Sequence, residues 1–425
     1  MRAYSPIDVS SSAFWSLPST EREATYAELR SAHPVSWHRP AEGGLMPNFG
    51  GIPSDAGDGF WAVATHTDIQ FVSRHPEIYC SGQGVMLEDV PVELLESASS
   101  FLAVDAPRHT KLRRLVSAAF TPKNVARIEA QIARQAEVIV DDLIAARRSG
   151  ETIDFVAQVS GRLPMFTICE MMGVDPAEHA GVAQAANGMV GWNDPAVQRG
   201  RDPFTTLFES LLALQATARA LVELRRTQPT DDLMTALVQA KVDDERLTDD
   251  DIAAFFVLLA VAGNDTTRHT TSHVMKALCD HPEQRTWLQH DFDANIGSAI
   301  EEFIRWSSPV MTFRRTATVD TELGGQQIRA GEKVVLFYHS GNRDELVFTQ
   351  PTRFDLARTP NAHVGFGGGG PHFCMGAGLA KTQLRSIFGQ LLTRITDFSV
   401  EAPQEMAGNF VRGITAMPCS FSVPS

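Results

Sequence analysis

Apolar residues recur at helical spacing over most of the chain, interrupted by a few alternating runs and by connections rich in glycine and proline. Residues 20–33 read as a short helix, and a glycine- and proline-rich connection follows over 40–59. Phe60-Trp61-Ala62-Val63 predicts a strand, and Thr65 is placed to cap a helix running to about Arg74. Between residues 81 and 101 the periodicity lapses, which predicts a long irregular loop of the kind that carries function or moves. Helical spacing resumes over 105–122, 124–150 and 152–173. The first of these helices sets His109 and Arg113 at i, i+4 on one face, which taken alone reads as a solvated basic surface. Residues 188–203 are irregular and joined to helices on both sides, the profile of a lid.

Thr248 opens a capping box before a helix of about thirty residues that ends ahead of His281-Pro282. Its middle turns abruptly from an apolar run to Asn264, Asp265, Thr266 and Thr267. A mid-helix threonine can bond back to the carbonyl of Ala262 and bend the helix, and an acid and a hydroxyl after so apolar a run mark a buried polar site. Glu302 and Arg305 follow at i, i+3 on another helix, a spacing that on its own suggests a surface ion pair. From 313 to 338 the pattern shifts to short strands around a Gly324-Gly325 turn. These elements predict a mainly α protein with a minor β part, the latter at about 50–64, 310–340 and the C-terminus, in one domain over 1–425.

Composition narrows the function. A formal net charge of −14 over 425 residues argues against nucleic acid as the partner. Five cysteines without paired spacing suggest a reducing compartment. No signal peptide is recognised at the N-terminus, and the longest apolar run, IAAFFVLLAVAG from Ile252, is too short for the roughly 20 residues a membrane span needs. A cytoplasmic protein is therefore expected.

The stretch GFGGGGPHFCMGAGLAKTQL from Gly365 presents Cys374 at the end of a glycine-rich loop, just ahead of a helix. Backbone N–H groups and the helix dipole there favour a thiolate. Four readings are open on the loop alone. Cys374 could be a buried free cysteine. The loop could cradle a nucleotide, although Pro371-His372 stands where a P-loop needs Lys-Ser/Thr. His363, His372 and Cys374 could hold zinc. The cysteine could instead ligate haem iron.

Taken in order, AGNDTT at Ala262, the Glu302–Arg305 ExxR, PTRF at Pro351 and FGGGGPHFCMG resemble the cytochrome P450 family over nearly the whole chain. The resemblance implies a helical prism holding haem b between the long helix and the helix after Cys374, with Cys374 as the axial iron ligand. It implies that His109, Arg113, Arg315 and His372 bind the haem carboxylates and that Phe366 and Gly376 complete the haem loop. Glu302, Arg305 and Arg353 would brace that loop, and Asp265 with Thr266 would deliver protons to bound O2.

The same resemblance implies a monooxygenase acting on a hydrophobic substrate, fed with NAD(P)H electrons by a ferredoxin and its reductase. A monomer is expected, with Lys111, Arg114 and Lys381 as candidates for the ferredoxin face. Substrate contacts map to Val85, Met86 and Leu87 in the first loop and to Val190 and Trp192 in the lid. Others are Ala262 and Gly263 on the long helix, Val310, Met311 and Phe313 after ExxR, and Phe410 and Val411 near the end. Phe366 stands eight residues before Cys374 where the family usually has seven. That longer loop, with VAGNDTTRHT and NFVRGITAMP, is similar to actinobacterial hydroxylases of cholesterol side chains and methyl-branched lipids. Oxidation of a terpenoid or polyketide, or haem binding without catalysis, are the alternatives.

Overall fold

The computed structural model describes residues 2–42, 59–89, 98, 100–120, 122–192, 194–242, 244–395 and 397–422. Its axis is the 32-residue helix Asp249–Asp280, about 48 Å long at 1.5 Å per residue. Thr248 accepts from the Asp251 N–H, and the Asp251 carboxylate accepts from the Thr248 N–H, so the expected capping box is closed. Helices Arg162–Met172, His179–Val190, Pro203–Thr227, Phe292–Ser307 and Ala377–Arg394 pack against this axis. Phe255, Phe256, Ile168, Leu214 and Leu391 fill the space between them and are all but fully buried. Among the described residues, no helix is long and apolar enough to cross a membrane.

The β part is chiefly one five-stranded sheet in the order Val35–His38, Phe60–Val63, Lys333–Phe337, Thr312–Ala317, Tyr79–Cys80. All its pairings are antiparallel except that of Phe60–Val63 with Lys333–Phe337. Gly324 and Gly325, at φ 55° and 74°, make the two-residue turn between Thr321–Leu323 and Gln326–Ile328, as their pairing predicts. The strand expected over 60–63 and the helix capped by Thr65 lie where predicted. Residues 50–58 of the expected β-rich segment, and 90–97 and 99 of the expected loop, lie outside the described residues.

Two boundaries differ from the sequence reading. Residues 152–173 are not one helix: Ile153–Asp154 pairs with Pro418–Ser420, a π-turn covers Val156–Ser160, and the α-helix starts at Arg162. Asp154 causes the break, because its carboxylate accepts from the N–H groups of Met417 and Ala157 and holds the segment extended. The helix expected from Asp105 begins at Arg108, since the Asp105 carboxylate instead accepts from the N–H groups of Ser81 and Gly82, both at 2.8 Å.

Helix Ser19–Ala32 is tied into the centre by charge. The Glu23 carboxylate lies 3.0 Å from Arg30, 3.4 Å from Arg343 and 3.3 Å from His339. Burial holds His339, His269 and His273 well below the ordinary histidine range, with Arg343, Arg268 and Arg412 adding to the effect in that order. Burial likewise brings His38 down to about 4. The folded protein therefore binds fewer protons here than the unfolded chain. The contribution of these groups is complete above the unfolded value of about 6.5 and is lost as pH falls below it, down to about 4 for His38. Each can withdraw up to about 1.4 kcal/mol per pH unit. Urea midpoints are accordingly expected to drop steadily between pH 7 and pH 5, and a flat profile over that interval would contradict the neutral, buried state.

Candidate active site

Cys374 faces a cavity of about 270 Å³ that also reaches Thr266 on the long helix and is otherwise mostly apolar. The loop carrying it lies directly on helix His66–Arg74. At Gly370, φ is 73° and a Cβ would stand 2.1 Å from the Ser73 carbonyl oxygen, so only glycine fits. The Cys374 N–H donates to the Phe366 carbonyl at 3.0 Å, closing the loop one turn ahead of helix Ala377–Arg394. Burial pushes the thiol upward, and the Gly376 N–H and Arg113 only partly oppose it. The helix start alone thus does not produce the expected thiolate; a cation bound at the sulfur would.

Thr266 Oγ donates to the Ala262 carbonyl at 2.8 Å, the predicted back-bond, and the helix continues unbroken through it. Asp265 does not face Thr266, because consecutive helical residues point different ways. Its carboxylate accepts from Asn264 at 3.1 Å and pairs with Arg268 at 2.7 Å, leaving Oδ2 without a partner. Burial raises the Asp265 pKa and Arg268 opposes the rise. Arg268 in turn donates to Asn187 of helix His179–Val190 at 2.6 Å. Arg268 and Asn187 were not anticipated; the i, i+3 spacing of Asp265 and Arg268 was the available signal.

A cluster of cations and imidazoles gathers at the same cavity: Arg113, Arg315 and His372 line it, and His109 lies against His372 without reaching it. Arg113 donates to the carbonyls of Pro371 and Phe373, both at 2.7 Å, and buried Arg315 donates to its neighbour's carbonyl at 2.7 Å. The rings of His109 and His372 lie 4.3 Å apart, and His372 Nε2 meets Ser81 Oγ at 3.2 Å. Buried His109 Nε2 and His372 Nδ1 have no partner. Burial, then Arg315, His109 and Arg113, bring His372 down to about 3. So much unbalanced donor capacity beside an apolar slot fits a flat apolar group bearing carboxylates, and the sulfur in the same slot fits a metal ion at its centre. The residues fit haem. Phe366 lines the slot and carries the Lys381 ammonium 5.6 Å from its ring, and Gly376 lines it beside the sulfur.

Glu302 and Arg305 are fully buried and form two hydrogen bonds of 2.7 Å, which removes the surface-pair reading. The second arginine on Glu302 is Arg358, at 3.1 Å, and not Arg353. The Arg353 side chain turns outward; only its carbonyl joins the network, accepting from Arg305 and Arg358. Zinc is disfavoured: His363 is held by Glu301 at 3.0 Å, and among the described residues no group of three ligating side chains converges. Glu301 is drawn down to about 2 by His363 and Lys381, the latter 2.5 Å away. Lys111 pairs with Glu245 at 2.8 Å and Lys381 with Glu301, so both of these cations expected on a ferredoxin face carry ion pairs; Arg114 lies with Lys111 on helix Arg108–Ala119.

Of the expected substrate contacts, Val190, Ala262, Val310, Phe313, Phe410 and Val411 line the cavity. Gly263 also lines it, but a Cβ there would meet Ile168 at 2.6 Å, so its small size serves helix packing. Val85, Met86 and Trp192 line a second cavity of about 220 Å³. Leu87 and Met311 do not reach either: both pack into the core with Phe14, Phe60 and Phe337. Leu258 was missed, although it precedes Ala262 and Thr266 at i, i+4 and i, i+8.

Comparison with known proteins gives the family of the chain. The cytochrome P450 family model matches residues 205–415. The chain is 42% identical over 417 residues to a methyl-branched lipid omega-hydroxylase of Mycobacterium tuberculosis, covering 98% of this chain and 95% of that protein. It is 38% identical over 397 residues to a steroid C26-monooxygenase of the same species, covering 92% and 87%. The structure superposes with a TM-score of 0.93 on Mycobacterium marinum cytochrome P450 CYP268A2 in complex with pseudoionone, at 54% identity over 99% of this chain and 100% of that one. The chain belongs to the cytochrome P450 family and is an oxidoreductase of the monooxygenase type.

Proposed function

We propose that the protein hydroxylates a methyl-branched lipid or a steroid, with electrons from NAD(P)H passed through a ferredoxin and its reductase. The observation that carries this reading is the apolar cavity that contains both Cys374 and Thr266 and adjoins a second, more polar one. The names of the two mycobacterial relatives support the substrate class. Haem b, when bound, supplies the iron at which dioxygen is activated. Cys374 would hold its iron through sulfur, and Arg113, Arg315, His109 and His372 would hold its carboxylates.

The chain's own residues do the rest. Val310, Phe313 and Val411 seat the substrate carbon and keep bulk water out. Thr266 Oγ accepts from a water at the cavity wall and, turned off the Ala262 carbonyl, donates a proton into the cavity. Asp265, which also lines the cavity, replenishes that proton through the intervening water and not by direct contact with Thr266. A single domain, a monomeric state and a cytoplasmic setting belong to this proposal.

Thr266→Ala is expected to lower product formed per NAD(P)H about tenfold or more, with hydrogen peroxide making up the difference. Unchanged coupling would remove Thr266 from the proton path. The substrate class is tested by optical titration of the ferric holoprotein with sterols, branched and straight fatty chains, terpenoids and macrolides, followed by turnover with surrogate redox partners. Saturable high-spin shifts and hydroxylated product from branched chains or sterols are expected. Shifts confined to macrolides would overturn the lipid reading, and absence of any product would leave only a haem-binding protein. A second reading, oxidation of a terpenoid, is favoured by the pseudoionone complex of the M. marinum relative.

A further inference from the structure

The second cavity abuts the first and shares Leu102, Val190, Leu258, Val261, Phe410 and Val411 with it, so the two lie side by side along common side chains. Its outer part differs in chemistry. Three carboxylates line it, Glu42, Glu88 and Asp194, and among the described residues no lysine, arginine or histidine does.

Two of the three carboxylates have local structural work. Glu42 accepts from the N–H of Ser12 at 3.1 Å, and Asp194 caps helix Pro195–Gln198 by accepting from the Ala196 N–H at 2.8 Å. Glu88 is different. Its Oε1 accepts from Asn409 Nδ2 at 2.6 Å, and Asn409 is its sole side-chain partner among the described residues. The pair is rigidly placed from both ends. Asp89, the next residue, is clamped by Arg314 at 2.7 Å and Lys333 at 2.5 Å, and the Asn409 carbonyl accepts from Thr312 Oγ at 2.8 Å. Arg314, the cation whose field reaches Glu88, does not line the cavity and spends its two terminal nitrogens on Asp89 and the Gln83 carbonyl, its buried Nε having no partner.

We propose that Glu88 and Asn409 form a polar clamp for the uncharged end of the substrate, a hydroxyl or carbonyl, while its apolar end lies toward Cys374. This rests on the lipid-hydroxylase reading and narrows it to neutral lipids, with free carboxylic acids disfavoured. A carboxylate entering this space would be desolvated beside Glu88, with no cation among the described residues that line it. A hydroxyl instead donates to the remaining Glu88 acceptor sites and accepts from the Asn409 amide, and a carbonyl accepts from the amide or from Glu88 in its acid form. Burial raises the Glu88 carboxyl pKa, Asn409 opposing, which favours that acid form.

The test is optical titration of the ferric holoprotein with the matched alcohol and acid of one methyl-branched chain and of one straight chain of equal length. For wild type, the alcohol is expected to bind at least about tenfold more tightly than its acid. Glu88→Leu should bring that ratio below about threefold, chiefly by weakening the alcohol. Glu88→Gln, which keeps a hydrogen-bond partner for Asn409, should hold the alcohol within about threefold of wild type while admitting the acid more readily. An intact thiolate-type carbon-monoxide band in each variant shows that the fold is retained. The clamp is overturned if the acids bind wild type as tightly as the alcohols, or if Glu88→Leu leaves the ratio unchanged. In either case hydroxylated product from the branched chain would leave the lipid reading standing. No shift and no product with any of the four compounds would take down both together.

Discussion

Cys374→Ala is expected to abolish the red-shifted carbon-monoxide band of the reduced protein and to cut product formation by at least about a thousandfold, or about 4 kcal/mol of lost transition-state stabilisation. The expectation rests on position. Cys374 is the one cysteine among the described residues that lines the cavity, and the neighbouring sulfur, the Met375 thioether, cannot become a thiolate. Cys80 is buried in the sheet, Cys169 packs against Met165 inside a helix, and Cys279 lies against Phe398. The fold itself should tolerate the change, because the loop is closed by the Cys374 N–H bonding to the Phe366 carbonyl, which alanine keeps. Chemical unfolding of the two metal-free proteins should therefore differ by less than about 1 kcal/mol. A persistent red-shifted band in the variant would place the ligand elsewhere and sink the assignment.

The second large effect is structural. Glu302→Ala is expected to destabilise the protein by about 3–5 kcal/mol and to yield mostly haem-free material. The Glu302 carboxylate accepts from Arg305, Arg358, Asn361 Nδ2 and the Asp355 N–H, all between 2.7 and 3.1 Å. Arg305 extends the network by donating to the carbonyls of Asn342 and Pro351, both at 2.8 Å. Removing the carboxylate leaves two buried guanidinium groups without an anion and frees the segment that leads into the cysteine loop. Glu302→Gln keeps the shape but not the charge, and should fall between wild type and alanine. Urea midpoints and the haem content of purified protein measure both consequences. A midpoint for the alanine variant within about 1 kcal/mol of wild type would mean that the cluster carries no structural weight.

Much of this arrangement was legible in the chain. Caps at Thr65 and Thr248 announced their helices because their signals are local, a hydroxyl and an acid within one turn. The cysteine loop and the back-bonded Thr266 were equally plain, whereas the spacing of Glu302 and Arg305 reads as a surface pair and only the family resemblance implied that it is buried. What escaped depends on which way a side chain turns after the chain has folded. Arg353 and Arg358 are both candidates by composition, and only the path of the segment decides that Arg358 meets Glu302. Met86 and Leu87 are adjacent apolar residues, as are Val310 and Met311, yet in each pair one faces a cavity and the other the core. In extended backbone, neighbours point to opposite sides, and irregular segments offer no longer period from which to read the side. Asp154 misled for a related reason: its carboxylate is satisfied by Met417, some 260 positions along the chain, which no local pattern can show.

The ties of Glu23 bear on how the chain can be shortened. Helix Ser19–Ala32 has the amphipathic, charged look of a dispensable leader, but it supplies the carboxylate that balances Arg343 and contacts His339 in the interior. A version beginning after this helix would carry those groups into the core with no counter-charge, so trimming to a minimal catalytic unit has to start upstream of Ser19. Tags and fusions meet no such restriction on the outward flank of the helix, where Glu21 and Glu28 stand away from the network.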